Sequence, residues 1–248
     1  MSTSVVSMGE RFVPSVNGWS EANRRMFYGN YRWACQFTEG KVVLDCACGS
    51  GYGTDILTEG SLQVVGADTD TAIVQYAQGH YQNERNRFEV FSATQIPYPD
   101  DYFDVVVSFD TIEHVEDGEA VLTEFRRVTK SNGQIIISTP VNYYRRNQGE
   151  QGTLDPTHVH EYSAYEWVHL LGQHFHRAEF YTRDSSLNFR RVFPGDYAGV
   201  PYDVGFARIP DVSDNSGVNE LDTVKHRISL HMTDHIKRLE RELAASGT

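Results

Sequence analysis

The chain is poor in cysteine, has no long apolar run and is short of positive charge. Its three cysteines, Cys35, Cys46 and Cys48, are odd in number, and two of them flank one predicted loop, which excludes a disulfide framework. Cys46-Ala47-Cys48 has no second cysteine pair to complete a zinc site, so these thiols read as small buried side chains. No apolar stretch reaches the length of a membrane span. Residues Met1 to Arg11 lack the basic-then-apolar pattern of a secretory leader. The expectation is a soluble, cytoplasmic protein with no membrane partner. Lysine and arginine number 22 against 34 aspartates and glutamates, a formal net charge of −12. Polyanions are held largely through basic surfaces, and the pairs Arg24-Arg25, Arg145-Arg146 and Arg190-Arg191 are scattered along the chain. No nucleic-acid partner is expected.

The 248 residues, 40% hydrophobic and 23% charged, suffice for one sizeable α/β domain with additions. After a polar, aromatic-bearing segment (1–40) that reads as loop then helix, strand and helix patterns alternate. Val42-Val43-Leu44, Val64 to Ala67, Phe88 to Phe91, Phe103 to Phe109 (with Val105-Val106-Val107 inside) and Ile135-Ile136-Ile137 read as five short strands, the last after an Asn132-Gly133 turn. Helices are expected over Thr71 to Gln78, around Val121, Leu122, Phe125 and Val128, and after the capping box Ser163-Ala164-Tyr165-Glu166. Glu179 to Tyr181 and Tyr202 to Ile209 read as a sixth and a seventh strand. Continuous apolar runs, instead of alternation, indicate strands buried on both faces. The expected fold is therefore α/β: a Rossmann-like, doubly wound, mostly parallel seven-stranded sheet with helices on both faces. The parts are an N-terminal helical cap (1–40), a core (41–183), a substrate-side cap with the last strand (184–220) and a C-terminal amphipathic helix (221–248). That helix steps through Leu221, Val224, Ile228, Met232, Ile236, Leu239 and Leu243, a stripe suited to homodimer formation.

The chemistry concentrates in Leu44-Asp45-Cys46-Ala47-Cys48-Gly49-Ser50-Gly51-Tyr52-Gly53, which follows the first strand and opens a helix. Glycines there let backbone approach a ligand and adopt positive φ, at the strand ends where open α/β sheets bind ligands. A dinucleotide loop wants a third small residue, where this chain has Thr54. The carboxylate of Asp45 is awkward for a pyrophosphate and suits a cation. S-adenosylmethionine carries an ammonium and a sulfonium, and no phosphate. Asp68 ends the second strand, placed to accept ribose hydroxyls, and Ser92-Ala93 ends the third, near an adenine edge. A non-binding α/β domain and a nicotinamide enzyme are the competing readings.

On these residues the sequence resembles the class I methyltransferases over roughly residues 40–182. More narrowly it resembles small O-methyltransferases of glycan, polysaccharide and glycosylated natural-product pathways. The matching segments are Gly9-Glu10-Arg11-Phe12-Val13-Pro14, Gly49 to Gly53, Ile112-Glu113-His114-Val115 and Ser138-Thr139-Pro140-Val141-Asn142, the last with one extra residue. Asp155-Pro156-Thr157-His158-Val159-His160-Glu161 departs at two positions from the family's Asn-Pro-Phe-His-x-x-Glu. The resemblance implies S-adenosylmethionine as cofactor, bound by Asp45, Ala47, Gly49, Gly51, Asp68, Thr69, Ser92, Ala93 and Phe109. It also implies closure by Tyr31, which as a residue reads equally as a packing aromatic. Many relatives have Asp where Ser92 stands.

Methyl transfer from a sulfonium needs an aligned nucleophile, a proton acceptor and exclusion of water. Histidine suits the acceptor role near neutral pH. His158 aligns with the family histidine and is the expected base, with His160 in reserve. Surface histidines near a turn are the alternative. Asp110, Glu113 and His114 would share one face of a helix, three and four residues apart. Ubiquinone-pathway O-methyltransferases resemble this and imply a divalent ion, here Mg²⁺; without metal the same residues would shape the cofactor pocket. The Asp/Asn-Pro-Pro-Tyr element of nucleobase amino-methyltransferases is absent, since Ser108-Phe109-Asp110-Thr111 occupies its place. The expected acceptor is thus a small molecule or saccharide, methylated on a hydroxyl. The aromatics after Asp184 suit either sugar stacking or cap packing. N-methylation of an amino sugar or other amine, and a binding protein without catalysis, are the alternatives.

Overall fold

The computed structural model describes residues 12–14, 19–141, 156–183, 186–192, 203–214 and 220–226. Helix α1 (Glu21–Ala34) starts at Ser20, whose hydroxyl accepts from the Asn23 N–H. Strand β1 (Val42–Cys46) and the short helix α2 (Tyr52–Leu57) flank the glycine-rich loop. Strand β2 (Gln63–Asp68), helix α3 (Thr71–Tyr81) and strand β3 (Asn86–Val90) follow. Asp70 caps α3 by accepting from Ala72 and Ile73 N–H groups, satisfying donors that a helix start leaves open. Next come strand β4 (Phe103–Ser108), helix α4 (Gly118–Val128), strand β5 (Thr129–Ile137) and the two-residue β6 (Pro140–Val141). Helix α5 (Ala164–His174) opens on Ser163 with both hydrogen bonds of the expected capping box present. Strands β7 (Glu179–Arg183), β8 (Phe189–Val192), β9 (Asp203–Val204) and β10 (Phe206–Ile209) complete the described strands.

The main sheet has eight strands in the order β3-β2-β1-β4-β5-β10-β7-β8. β3, β2, β1, β4 and β5 run parallel; β10 is antiparallel to both β5 and β7, and β8 is antiparallel to β7. The expected seven strands are thus a correction: β8 is the added edge, and its sequence Phe-Arg-Arg-Val hides it by having only two apolar residues. The expected strand Tyr202 to Ile209 is also two pieces. β9 pairs with β6 in a separate small sheet, and the chain crosses to β10 at Gly205, where a Cβ would stand 2.3 Å from Val141 Cγ2. Asn132-Gly133 is not a turn ahead of the strand. It lies inside β5, where the register against β4 jumps from Phe103↔Thr129 to Val105↔Gln134, a bulge.

Both faces of the sheet are apolar. Leu44, Cys46, Val65, Ala67, Val106, Ile135 and Ile137 pack with Val121, Leu122 and Phe125 of α4 and Trp167 and Leu171 of α5. Val43, Val64, Val105, Val107 and Ile136 face the other way, toward Tyr31 and Trp33 of α1 and Ile56 and Leu57 of α2. Strand residues of alternate parity thus meet helices on opposite sides, as the doubly wound expectation requires. Of the aromatics after Asp184, Phe189 stacks on Trp33 at a centroid separation of 4.5 Å and packs on Phe206, which is fully buried; for these two the packing reading holds. Residues 220–226 are helical, and the rest of the expected terminal helix, with its dimerisation stripe, lies outside the described residues. No helix among the described residues is long and apolar enough to cross a membrane.

Candidate active site

The parallel strands deliver Asp45, Asp68 and the segment after Ser108 to one edge of the sheet. Ala47, Gly49 and Gly51 all have positive φ, at 63°, 52° and 86°, so three of the five residues 47–51 take left-handed backbone. Ala47 holds a conformation that side chains seldom adopt, which marks a constrained segment. The loop is pinned behind: the Cys48 N–H donates to the Ala67 carbonyl at 2.8 Å and the Gly49 N–H to Asp68 Oδ2 at 3.0 Å. A Cβ at Gly51 would stand 2.6 Å from Ala77 Cβ, so only glycine fits both the φ and the space there.

Asp45 has no solvent exposure. The Tyr31 hydroxyl donates to its Oδ1 at 3.1 Å and the Thr54 hydroxyl to its Oδ2 at 2.6 Å. Burial raises its pKa to about 7, against the pull of the Thr54 and Tyr31 hydrogen bonds, and the nearby Asp68 charge pushes the same way as burial. Thr54 therefore stands where a dinucleotide loop has its third small residue because this carboxylate needs a donor. A Cβ at Gly53 would lie 2.0 Å from Tyr31 Cζ, so Gly53 is what lets Tyr31 lie over α2 and reach Asp45. Sequence reasoning passed over Thr54 and Gly53 as binding determinants; the signal was a hydroxyl nine residues after a buried acid.

The other expected cofactor residues line up along the same edge. Asp68 takes the Gly49 N–H on Oδ2 and the Asp70 N–H on Oδ1 at 3.0 Å, which fixes its carboxylate plane, and Thr69 beside it is exposed. The Ser92 hydroxyl pairs with the Thr94 hydroxyl at 2.8 Å, and Ala93 is buried. Phe109 meets the Tyr31 ring edge-on at 5.1 Å and Phe206 at 5.7 Å. Phe12, from the segment shared with the resembling family, reaches the loop: its carbonyl accepts from Ser50 Oγ at 2.8 Å, and its ring meets Tyr52 at 4.9 Å. Gly9, Glu10 and Arg11 lie outside the described residues.

Beyond Phe109 the chain does not form the helix expected to gather Asp110, Glu113 and His114. Asp110 has φ of 49°, and only a single 3₁₀ turn, Ile112–His114, follows. Asp110 turns to Ser138, whose hydroxyl donates to Oδ1 at 2.8 Å. Burial raises the Asp110 pKa, opposed by that hydrogen bond and by the positive charge of nearby Arg183. Glu113 is buried, and the Thr139 hydroxyl donates to its Oε2 at 3.0 Å. Among the described residues the set with metal-ligand spacing is Glu113, His114 and His158, with one donor atom from each within 4.8 Å of the others. Of the expected ligands, Glu113 and His114 belong to this set and Asp110 does not.

His158 and His160 are held by main chain. The Glu113 carbonyl accepts from the Val159 N–H at 2.9 Å and the His160 N–H at 3.0 Å. The His158 ring meets the His114 ring edge-on at 4.9 Å, and its Nδ1 lies 3.7 Å from Glu161 Oε1. His160 stacks obliquely on Tyr162 at 4.4 Å. The structure thus brings His158, His114, Glu113 and Asp110 to one place, with Arg183 of β7 as the neighbouring cation that sequence reasoning did not place there.

Comparison with known proteins agrees with this geometry. Residues 44–137 match the family described as a methyltransferase domain. The chain is 32% identical over 166 residues to a probable S-adenosylmethionine-dependent methyltransferase of Mycolicibacterium smegmatis, covering 66% of this chain and 62% of that protein. It is 33% identical over 145 residues to a phosphoethanolamine N-methyltransferase of Triticum aestivum, covering 57% of this chain and 26% of that one. The solved structure of YcgJ from Bacillus subtilis superposes with a TM-score of 0.58 at 15% identity, covering 74% of this chain and 97% of that chain. That likeness is one of fold. The chain spans about three fifths of the length of the first of these relatives. Residues 44–137 carry the match to the methyltransferase-domain family, and the mostly parallel sheet with its glycine-rich loop after β1 is consistent with a Rossmann-like methyltransferase fold.

Proposed function

We propose that the protein transfers the methyl group of S-adenosylmethionine to a hydroxyl of a small saccharide, glycan or glycosylated metabolite, with His158 accepting the proton. The observation that carries this reading is the main-chain clamp from Glu113 to Val159 and His160. It fixes an imidazole near Asp110, which follows the carboxyl end of β4. In this reading Asp45, Ala47, Gly49 and Gly51 hold the amino acid part of the cofactor. Asp68 and Thr69 hold its ribose, Ser92 and Ala93 its adenine, and Phe109 with Tyr31 walls the methyl face. Attack proceeds in line: the acceptor oxygen bonds to the methyl carbon as the carbon–sulfur bond breaks, leaving S-adenosylhomocysteine, and the hydroxyl proton passes to His158. The carboxylate of Glu161, 3.7 Å from Nδ1, favours the imidazolium that forms, and His160 is the reserve acceptor.

The names of two relatives favour a second reading, N-methylation of a small amine. A neutral amine attacks without a strong base, so the two readings separate on His158. Transfer from labelled S-adenosylmethionine to panels of saccharides and small amines tests both. With a hydroxyl acceptor, His158→Ala is expected to lower kcat by about 10²- to 10⁴-fold. Methylation of amines alone, with His158→Ala near wild-type rate, would sink the hydroxyl reading. Calorimetry with S-adenosylmethionine tests the domain itself, and absence of binding would reduce it to a scaffold.

A further inference from the structure

We infer that Glu113, His114 and His158 form a binding site for one divalent transition-metal ion of the zinc type. One donor atom from each residue lies within 4.8 Å of the other two. Ligands about 2.1 Å from zinc are at most about 4.2 Å apart, so closing the set takes about half an ångström. His114 is exposed, and its side chain can rotate by that much without disturbing the core. Two imidazoles and one carboxylate are a nitrogen-rich set that suits zinc, cobalt or nickel; magnesium prefers oxygen ligands. This donor set departs from the magnesium expected from the sequence.

The surroundings are those that hold metal ligands in place. His114 Nδ1 lies 3.1 Å from the Thr157 carbonyl. A carbonyl oxygen only accepts, so Nδ1 carries the proton and the lone pair of the neutral ring sits on Nε2. A histidine whose second nitrogen donates to a backbone carbonyl is the usual arrangement around a bound metal. The carboxylate of Glu113 is likewise oriented, by the Thr139 hydroxyl at 3.0 Å. His158 Nδ1 is buried and makes no hydrogen bond among the described residues, the Glu161 carboxylate at 3.7 Å being too distant. The third ligand is brought in by the backbone clamp on residues 159 and 160, so the site is assembled by the fold and not by a local sequence motif.

The ion and a proton compete for the same lone pair on His158. Its consequence for the rate therefore rests on the base role proposed above: bound zinc removes the base and slows transfer, and a chelator restores it. Binding itself is independent of that role. The test is titration of the untagged, full-length protein with Co²⁺, followed by visible d–d absorption, then displacement with Zn²⁺. One equivalent is expected to saturate the bands. His114→Ala, which truncates an exposed side chain, and His158→Ala are each expected to weaken cobalt binding by more than about tenfold. Asp110→Asn is expected to bind as the wild type does. Absence of bands, or bands that persist in both histidine variants, would overturn the site. If the bands behave as expected and zinc raises the transfer rate, the site stands and the base role of His158 falls.

Discussion

Asp45 is a carboxylate without solvent contact, answered by two hydroxyls and no cation among its hydrogen-bond partners. Its pKa is raised to about 7, chiefly by burial. The folded protein therefore binds more protons than the unfolded chain between about pH 4 and about pH 7. In that window stability falls as pH rises, and above it the cost stays constant. Asp45→Asn is expected to flatten this slope in thermal melts taken across the window. Cofactor affinity should run the opposite way. A ligand ammonium favours the ionised carboxylate, so affinity for S-adenosylmethionine should drop by up to about tenfold per pH unit below about 7. Calorimetry from acid to alkaline pH would show this as proton release on binding, and an affinity flat through pH 7 would contradict it. Tyr31→Phe removes one of the two donors that hold the pKa down, so the midpoint should move upward in that variant.

At the scale of elements, the parallel half of the sheet was legible because its strands are buried on both faces. Val42 to Leu44, Val64 to Ala67 and Val105 to Val107 carry no polar side chain, as strands covered on both faces require. The antiparallel half was less legible because there the signals are mixed. Phe189–Val192 carries Arg190 and Arg191, both exposed, charges that suit an edge strand and disguise it as loop. Gly205 divides what reads as one strand, since its neighbours Val141 and Trp167 leave no room for a side chain. Gly205→Val is accordingly expected to cost several kcal/mol, about 2–4, by overpacking and loss of the Gly205 N–H bond to Thr139. The measure is the urea midpoint of unfolding, and an unchanged midpoint would show that the small β6–β9 sheet does not support the core.

For the molecule as a whole, the sequence resolved the proposed cofactor side better than the proposed acceptor side. The cofactor residues sit within a few positions of strand ends, so sequence spacing maps directly onto space. The acceptor side is built from segments far apart in the chain, joined by contacts that spacing does not encode: Asp110 with Ser138, Glu113 with Thr139, His114 with Thr157. A helix through Asp110 to His114 was the natural sequence expectation, and the positive φ at Asp110 prevents it. His158 was singled out by resemblance, and its meeting with His114 could only be seen in three dimensions.

The clamp between the Glu113 carbonyl and the amides of Val159 and His160 uses only main-chain atoms. Where the acceptor loop sits therefore does not depend on which side chains it displays. A lineage, or a laboratory selection, can exchange residues 159 and 160 while the platform and His158 stay put. A library at those two positions should keep the wild-type melting temperature within about 1–2 °C and, in the proposed reading, vary in substrate preference. Proline at 159 or 160 is the exception, since it lacks the amide the clamp requires.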